Sequence, residues 1–296
     1  MKEEIKKPND MLKALISLFL GSALLGMSAI FVRYSESSPS LIAFYRASLA
    51  LPFLYMWVLI EGKKIDLGFF KNKKLFLLFV IAGFCFAVDM SFWNWSIEYT
   101  SVANATLMAN TAPLFVSFIG LIFLRHKIKP EFFLILLLAM IGVSLVILSS
   151  ANKGNLNVFG DFLGISAAIF YAGYILAIKS LTGRFSPAQT LFLATFMTSL
   201  ILVPISLFET RDLIPQTMKE WSVLFTYALI SQTIAQGLIT YGISKITAHL
   251  SSLILLIQPL AAAFYGWLLL NEAILPIQAF GGLIVLTSIY LATRKT

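Results

Sequence analysis

Residues that carry out chemistry are scarce in this sequence of 296 residues. It contains one cysteine, Cys85, and two histidines, which excludes an intramolecular disulfide and leaves no Cys/His cluster with metal-ligand spacing. Cys85 lies in an apolar run, where a lone cysteine behaves as a small hydrophobic side chain. The sequence also lacks a Walker phosphate loop, a GxSxG turn and an HExxH motif. We therefore expect a protein that is not an enzyme, is not driven by ATP and holds no cofactor or metal.

Charged residues are scarce as well. They make up 12% of the chain, whereas hydrophobic residues make up 59% and the mean hydropathy is +0.88. A soluble domain has about 25% charged and about 45–50% apolar residues. One aqueous core cannot bury this much apolar surface, so we expect the chain to lie in a lipid bilayer. The net charge of +8 is then expected from cytoplasmic loops rather than from a nucleic-acid interface.

Ten apolar segments are long enough to cross a membrane, which takes about 20 residues each. The polar start, MKEEIKKPND, and the length of the apolar run after it indicate a retained first helix rather than a signal peptide. Because backbone groups in lipid must be satisfied internally, these segments predict a helical bundle. The predicted spans are 12–32, 39–60, 75–98, 101–124, 131–150, 159–181, 187–208, 222–244, 246–271 and 274–293.

The distribution of Lys and Arg orients the predicted bundle. With the N-terminus inside, 17 of the 22 basic residues lie in cytoplasmic segments, 4 lie outside, and Arg46 lies within a span. Cytoplasmic loops of membrane proteins are enriched in Lys and Arg. We therefore expect a multi-pass protein of the inner (plasma) membrane with both termini in the cytoplasm.

The two halves of the sequence match at a shift of 146 residues, and the matched loops 125–127 (RHK) and 271–273 (NEA) differ in charge. Five helices per half is an odd number, so the second half enters the membrane from the opposite side. We predict an all-α integral membrane fold of ten transmembrane helices in two inverted five-helix repeats around a central cavity. The expected parts are a cytoplasmic tail at 1–11 and repeats at 12–150 and 159–293. The matches with most weight are Pro113 with Pro259, Gly120 with Gly266, and Pro130 with Pro276.

Three stretches resemble the EamA-type branch of the drug/metabolite transporter superfamily. They are FYRASLAL, YTSVANATLMANTAPLF and ITAHLSSLILLIQPLAAAFYGWLLLNEAILPIQAFGGLIVL, and the similarity extends over about residues 12–293. The resemblance implies a basket of helices with a central cavity that moves amino acids, related metabolites or drugs, often outward. One departure is His126, where the family often has a glutamate such as Glu272 in the second half.

An acid and a base lie inside predicted spans at similar depth. Asp89 is about 14 Å and Arg46 about 10 Å from the outer ends of their helices, at 1.5 Å per residue. Charges at such depth should face protein or a water-filled cavity. Two interpretations of Asp89 stay open: a structural pair with Arg46, or a cavity acid that meets a substrate amine or carries a coupling proton. Arg46 is either that structural partner or an anchor for a carboxylate or phosphate.

Aromatic residues share the helix face of Asp89, because positions 86, 89, 90 and 93 have i, i+3, i+4, i+7 spacing. The 146-residue shift aligns this face with one that carries two glutamines. An acid beside an indole suits an ammonium group, although packing and interhelical hydrogen bonding are simpler roles for such side chains. The predicted substrate-binding residues are Arg46, Phe86, Asp89, Met90, Trp93, Asn110, Tyr171, Tyr174, Gln232 and Gln236, and the predicted hinges are Pro113 and Pro259.

These features indicate a secondary transporter that moves a small metabolite, an amino acid or another amine-bearing compound, by alternating access. Two alternatives stay open. One is a non-catalytic membrane partner or receptor, although the short loops offer little surface for partners. The other is a transporter of an anionic metabolite anchored by Arg46. The expected partners are a small-molecule substrate and the lipid bilayer, with no nucleic acid. Proton coupling and the choice between monomer and homodimer stay open.

Overall fold

The computed structural model describes residues 8–65, 71–100, 102–122, 128–148, 158–210, 212–270 and 274–294. Within these ranges all regular secondary structure is helical. Ten helices are long and apolar enough to cross a membrane, which confirms the predicted number of spans. They are α1 Asn9–Tyr34, α2 Pro39–Ile60, α3 Lys73–Tyr99, α4 Ala105–Ile122, α5 Pro130–Ile147, α6 Val158–Leu181, α7 Pro187–Glu209, α8 Met218–Lys245, α9 Ala248–Leu269 and α10 Pro276–Arg294.

Some sequence features lie outside the described residues. They include His126, Glu272, the two loops whose charges differ between the halves, and most of the predicted cytoplasmic tail.

Five of the ten spans are not uniform α-helices. A π-helical segment, Ala228–Ala235, lies inside α8. There the backbone N–H of Gln236 donates to the carbonyl of Ser231, five residues earlier. Such segments occur often at functional sites. The other four are broken: α1 into Pro8–Leu25 and Ser28–Tyr34, α2 into Pro39–Ser48 and Leu51–Ile60, α4 into Val102–Ala109 and Ala112–Ile122, and α9 into Ala248–Ile254 and Ile257–Leu270.

The two predicted hinge prolines lie just after breaks. Pro113 is the second residue of the helix that resumes α4 at Ala112, and Pro259 is the third residue of the helix that resumes α9 at Ile257. Proline is tolerated in the first turn of a helix because its missing N–H has no partner there. The breaks therefore fall where the sequence places proline, and the role of these prolines as hinges stays a prediction.

Helix packing follows a pattern that is unchanged when the two halves are exchanged. The most extensive contact joins α3 to α6, and the exchanged pair, α8 with α1, is also in extensive contact. The pair α5 and α10 exchanges onto itself and packs closely as well. This pattern is expected of two structurally equivalent halves. Their inverted relation and the limits 12–150 and 159–293 stay predictions.

Large apolar side chains cover the outside of the bundle. Leu134, Phe162 and Phe208 are 71%, 61% and 93% exposed. In water such a surface would drive aggregation, whereas lipid tails solvate it. The chain is a multi-pass membrane protein.

At one end of the bundle two carboxylates bond to neighbouring elements, and we name this end the Glu220 face. There the loop between α1 and α2 is held by the ends of α7 and α8. The Glu220 carboxylate accepts hydrogen bonds from the hydroxyls of Ser35 and Ser37 and from the amide of Glu36. At the same face, Glu209 accepts from the amide of Ser40 at 2.7 Å and from the indole of Trp95 at 2.6 Å.

The opposite end is named the Lys179 face. The Lys179 ammonium of α6 donates to the carbonyl of Ile243 at 2.8 Å and to that of Ser244 at 3.4 Å. These carbonyls belong to the last turn of α8, where the helix leaves its own acceptors without partners. Lys179 therefore ties the end of α6 to the end of α8.

Candidate substrate cavity

A cavity of about 100 Å³ lies within the bundle, with walls from α1, α2, α3, α4, α6, α8 and α9. A single water molecule needs about 10–15 Å³ of such space, so the cavity can hold several waters or part of a small ligand. Eight of the ten residues predicted to bind substrate line it: Arg46, Phe86, Asp89, Met90, Trp93, Asn110, Tyr171 and Gln236.

Arg46 is fixed in the wall by contacts to α8. Its Nε donates to the amide oxygen of Gln232 at 3.2 Å, and its Nη1 donates to the hydroxyl of Tyr227 at 3.0 Å. The guanidinium also lies over the ring of Tyr227, 5.0 Å from its centroid, and 5.6 Å from the centroid of Phe86. Only 5% of the residue is exposed. The guanidinium is therefore held in place before any ligand arrives.

Asp89 lines the same cavity from α3. Among the described residues its carboxylate forms no ion pair with Arg46 within 4.0 Å, because the guanidinium is directed to Gln232 and Tyr227. The cavity thus presents an acid and a cation in one wall without the direct contact that would neutralise them.

Aromatic rings form the side of the cavity between these charges and α6. Phe86 stacks on Tyr174 with centroids 4.3 Å apart and an interplanar angle of 14°, and Tyr174 stacks on Tyr171 at 5.9 Å. Trp93 lies further along α3, on the predicted face that also carries Asp89. An acid with aromatic neighbours is an environment that attracts organic ammonium groups.

Two polar groups of the wall have no hydrogen-bond partner among the described residues. They are the side-chain amide of Gln236, which is 1% exposed, and the hydroxyl of Tyr171. Tyr171 lies beside Gln236 and Gln258, but no hydrogen bond of good geometry forms. Buried polar groups in folded proteins are nearly always paired. Because both residues line the cavity, these groups suit a polar ligand or water.

Two predicted residues lie behind the cavity rather than in its lining. Gln232 is fully buried between Arg46 and Thr195, whose hydroxyl accepts from its amide at 3.0 Å. Tyr174 is covered by Phe86. Of the hinge residues, Pro113 lines the cavity and Pro259 does not. Trp95 does not line the cavity, and its indole N–H donates to Glu209.

The lining also includes residues outside the predicted set. Ser28, Thr106, Ser252 and Gln258 contribute polar groups, and apolar residues, mostly alanine and leucine, make up the rest. Ser28 and Gln258 stand out in the sequence as polar residues within apolar spans. Thr106 and Ser252 carry no such signal, because both residue types often bond within their own helix.

Comparison with known proteins agrees with this architecture. The EamA-like transporter family matches the chain twice, at residues 12–148 and 158–294. The chain belongs to this family. Members are transporters, so the resemblance seen in the sequence is confirmed and the cavity is the place to look for a transported molecule.

Named relatives cover most of the chain. The pseudopaline exporter CntI of Pseudomonas aeruginosa is 23% identical over 290 residues, which is 97% of this chain and 98% of that protein. The threonine/homoserine exporter RhtA of Escherichia coli is 24% identical over 227 residues, which is 74% of this chain and 71% of that protein. A solved crystal structure superposes with a TM-score of 0.79 at 13% identity and covers 97% of both chains, which shows a shared fold.

Proposed function

We propose that this EamA-family protein is a secondary transporter for a small amine-bearing metabolite, such as an amino acid, and that Asp89 binds the amine. The observation that carries the proposal is an Asp89 carboxylate that lines the cavity without an ion pair to Arg46. A carboxylate inside a membrane protein is costly unless it faces a partner or water. A ligand ammonium supplies the missing partner.

The surroundings of Asp89 favour an organic cation over a metal ion. Trp93 and Phe86 bring aromatic rings to the same wall, and among the described residues there is no cluster of three or more metal-ligating side chains. An ammonium gains both from the carboxylate charge and from the ring faces. Gln236 and Tyr171 offer hydrogen bonds to the remaining polar groups of the ligand.

Charge and kinship support one direction of transport and one orientation in the membrane. The relatives CntI and RhtA are named exporters, which favours outward movement here. The excess of basic residues in alternate loops favours an inner-membrane protein with both termini in the cytoplasm. In that orientation the Lys179 face is cytoplasmic and the Glu220 face is external. Alternating access would bend α4 and α9 at their breaks near Pro113 and Pro259.

An anionic metabolite is the second candidate, and Arg46 is the observation that favours it. Its guanidinium is preorganised by Gln232 and Tyr227 at the edge of the cavity, and such a fork suits carboxylate or phosphate groups. A zwitterion carries both groups: its ammonium would lie at Asp89 and its carboxylate would lie near Arg46.

The experiment is a thermal-shift screen of purified protein against amines, zwitterions and anions. Wild type is compared with Asp89→Asn and with the control Asp161→Asn, which changes an acid in the first turn of α6 that accepts a hydrogen bond from Thr100. We expect amines to stabilise wild type and the control, and the shift to disappear in Asp89→Asn while the protein stays folded. If Asp89→Asn keeps every ligand shift, Asp89 does not bind the amine.

A loss of folding in Asp89→Asn would leave that screen without an answer, so a second variant is included. Asp89→Glu keeps the charge and moves it by about one methylene. We expect it to fold and to bind amines more weakly. Suppose that wild type and Asp89→Glu bind ligands equally well and that only anions raise the melting temperature. This result would favour an anionic metabolite anchored by Arg46.

A further inference from the structure

Half of the unpartnered buried side-chain atoms of the described residues lie at the cavity or between it and the Lys179 face. The described residues contain twelve such side-chain atoms, and six of them belong to Tyr171, Tyr174, Gln236, Thr240 and Ser251. We call these five residues the polar seam. Tyr174, Gln236, Thr240 and Ser251 are each at most 1% exposed. The other six atoms belong to Ser38, Ser40, Glu61, Ser91, Asn94 and Thr190, and none of these residues lines the cavity.

The seam runs from the cavity to the Lys179 face. Tyr171 and Gln236 line the cavity, and one turn further along their helices lie Tyr174 and Thr240, which are neighbours. Ser251 lies in the first turns of α9, which begins three residues after α8 ends. At about 1.5 Å per residue, Tyr174 and Thr240 lie about 5–6 Å beyond the cavity residues.

The two ends of the bundle differ in how their unpartnered atoms lie relative to the cavity. At the Glu220 face the Glu220 carboxylate accepts bonds from Ser35, Glu36 and Ser37. The unpartnered atoms there, on Ser38, Ser40 and Asn94, belong to residues that do not line the cavity. Between the cavity and the Lys179 face, the seam is closed by packing while its polar atoms lack partners. Closure there costs hydrogen bonds that water would supply if the helices separated.

We propose that the polar seam is the route by which polar molecules pass between the cavity and the Lys179 face, and that it opens when α6 separates from α8 and α9. The bond from Lys179 to the carbonyls of Ile243 and Ser244 is the latch of this gate. In the open state, water and then substrate form hydrogen bonds with the hydroxyls and the amide of the seam. The proposal rests on the proposed transport function, for which it identifies the gate on one side.

The experiment measures access of water to the seam and needs no substrate. In a Cys85→Ala background, Thr240→Cys is compared with Ile239→Cys. Ile239 is the preceding residue on α8, is equally buried, and packs against Gly21 of α1. A small membrane-impermeant thiosulfonate is applied to membrane vesicles of either orientation. We expect Thr240→Cys to react at least tenfold faster than Ile239→Cys, and from the Lys179 face only.

The latch is tested in the same assay by adding Lys179→Gln. Loss of the ammonium should raise the labelling rate of Thr240→Cys several-fold and leave that of Ile239→Cys unchanged. Ser251→Cys provides a second seam position in case Thr240→Cys does not fold. Labelling of both seam positions no faster than Ile239→Cys, or labelling from the Glu220 face alone, would overturn the proposal.

The outcome is separable from that of the proposed function. If amines fail to bind while the seam is labelled as expected, the seam remains a gate and the amine assignment is dropped. If amines bind through Asp89 and the seam is never labelled, the seam proposal fails and the binding proposal stands.

Discussion

The Nε of Arg46 and the side-chain oxygen of Gln232 are joined by a hydrogen bond of 3.2 Å that links α2 to the π-helical segment of α8. Gln232 is fully buried and donates in turn to Thr195 of α7. Three helices therefore meet at one amide. This contact explains how a guanidinium and a carboxylate share one cavity without forming an ion pair.

We predict that Gln232→Leu destabilises the protein by about 1–3 kcal/mol, because it leaves the buried Nε of Arg46 without this acceptor. The measurement is the melting temperature of the purified protein in detergent. The control is Thr195→Val, which removes the other bond of Gln232 and leaves Arg46 paired, so its melting temperature should fall less. Equal melting of Gln232→Leu and wild type would contradict the role given to this bond.

The two tyrosines of α6 give a matched pair for binding. Neither hydroxyl has a hydrogen-bond partner in the part of the chain that the structure describes, so Tyr171→Phe and Tyr174→Phe should fold without loss of stability. Tyr171 lines the cavity and Tyr174 lies behind Phe86. We predict that Tyr171→Phe weakens ligand affinity about fivefold to tenfold, the effect of one hydrogen bond, whereas Tyr174→Phe leaves equilibrium affinity unchanged.

Equilibrium titration of each tyrosine variant with a ligand found in the thermal-shift screen measures this difference. Equal affinities in wild type and Tyr171→Phe would show that the ligand does not reach α6. A weaker affinity in Tyr174→Phe alone would place the ligand beyond Phe86.

Two adjacent glycines of α10 give a test of packing. A methyl group on Gly281 would lie 2.6 Å from the carbonyl oxygen of Gly142 in α5, whereas one on Gly282 would lie 3.7 Å from Leu260. Backbone atoms cannot move aside as a flexible side chain can, so we predict that Gly281→Ala costs about 1–3 kcal/mol and that Gly282→Ala is tolerated. The melting temperatures of the two variants test this difference. Equal values would mean that α5 and α10 are less closely packed.

Much of the cavity wall could be predicted from the sequence because periodicity and charge carry the signal. Asp89 is a charge in an apolar span, and the spacing from Phe86 to Trp93 defines one helical face. The 146-residue shift then identifies Gln236 on the facing helix. These residues line the cavity together. Gly142 and Gly281 gave no such signal, because a close approach between helices depends on two backbones at once.

The directions of the polar contacts could not be predicted. Arg46 and Asp89 have similar depth, which left a direct pair open, but depth does not show that Gln232 and Tyr227 hold the guanidinium. The break in α1 lies in an apolar run without proline, where composition is uninformative about the backbone hydrogen bonds.

The Glu220 face gives the last prediction. The Glu220 carboxylate is 3% exposed and accepts three hydrogen bonds from the loop between α1 and α2. In Glu220→Gln the charge is lost and an NH₂ group replaces one acceptor, so we predict a loss of about 1–3 kcal/mol in melting experiments. The neighbouring Lys219→Met breaks an exposed pair with Glu36, at 63% and 53% side-chain exposure, and should change little, because exposed pairs contribute little.

The variants Glu220→Gln and Lys219→Met should also differ in how readily a reagent reaches the Glu220 face. Ser37→Cys, in a Cys85→Ala background, should react with an impermeant thiosulfonate faster when Glu220→Gln is added, because the loop is then held by fewer bonds. Adding Lys219→Met should leave its rate unchanged. Since Ser37→Cys removes one of the three donors itself, the rate is compared only among variants that share it. If Lys219→Met raises the rate as much as Glu220→Gln does, the surface ion pair, rather than the buried carboxylate, holds this face closed.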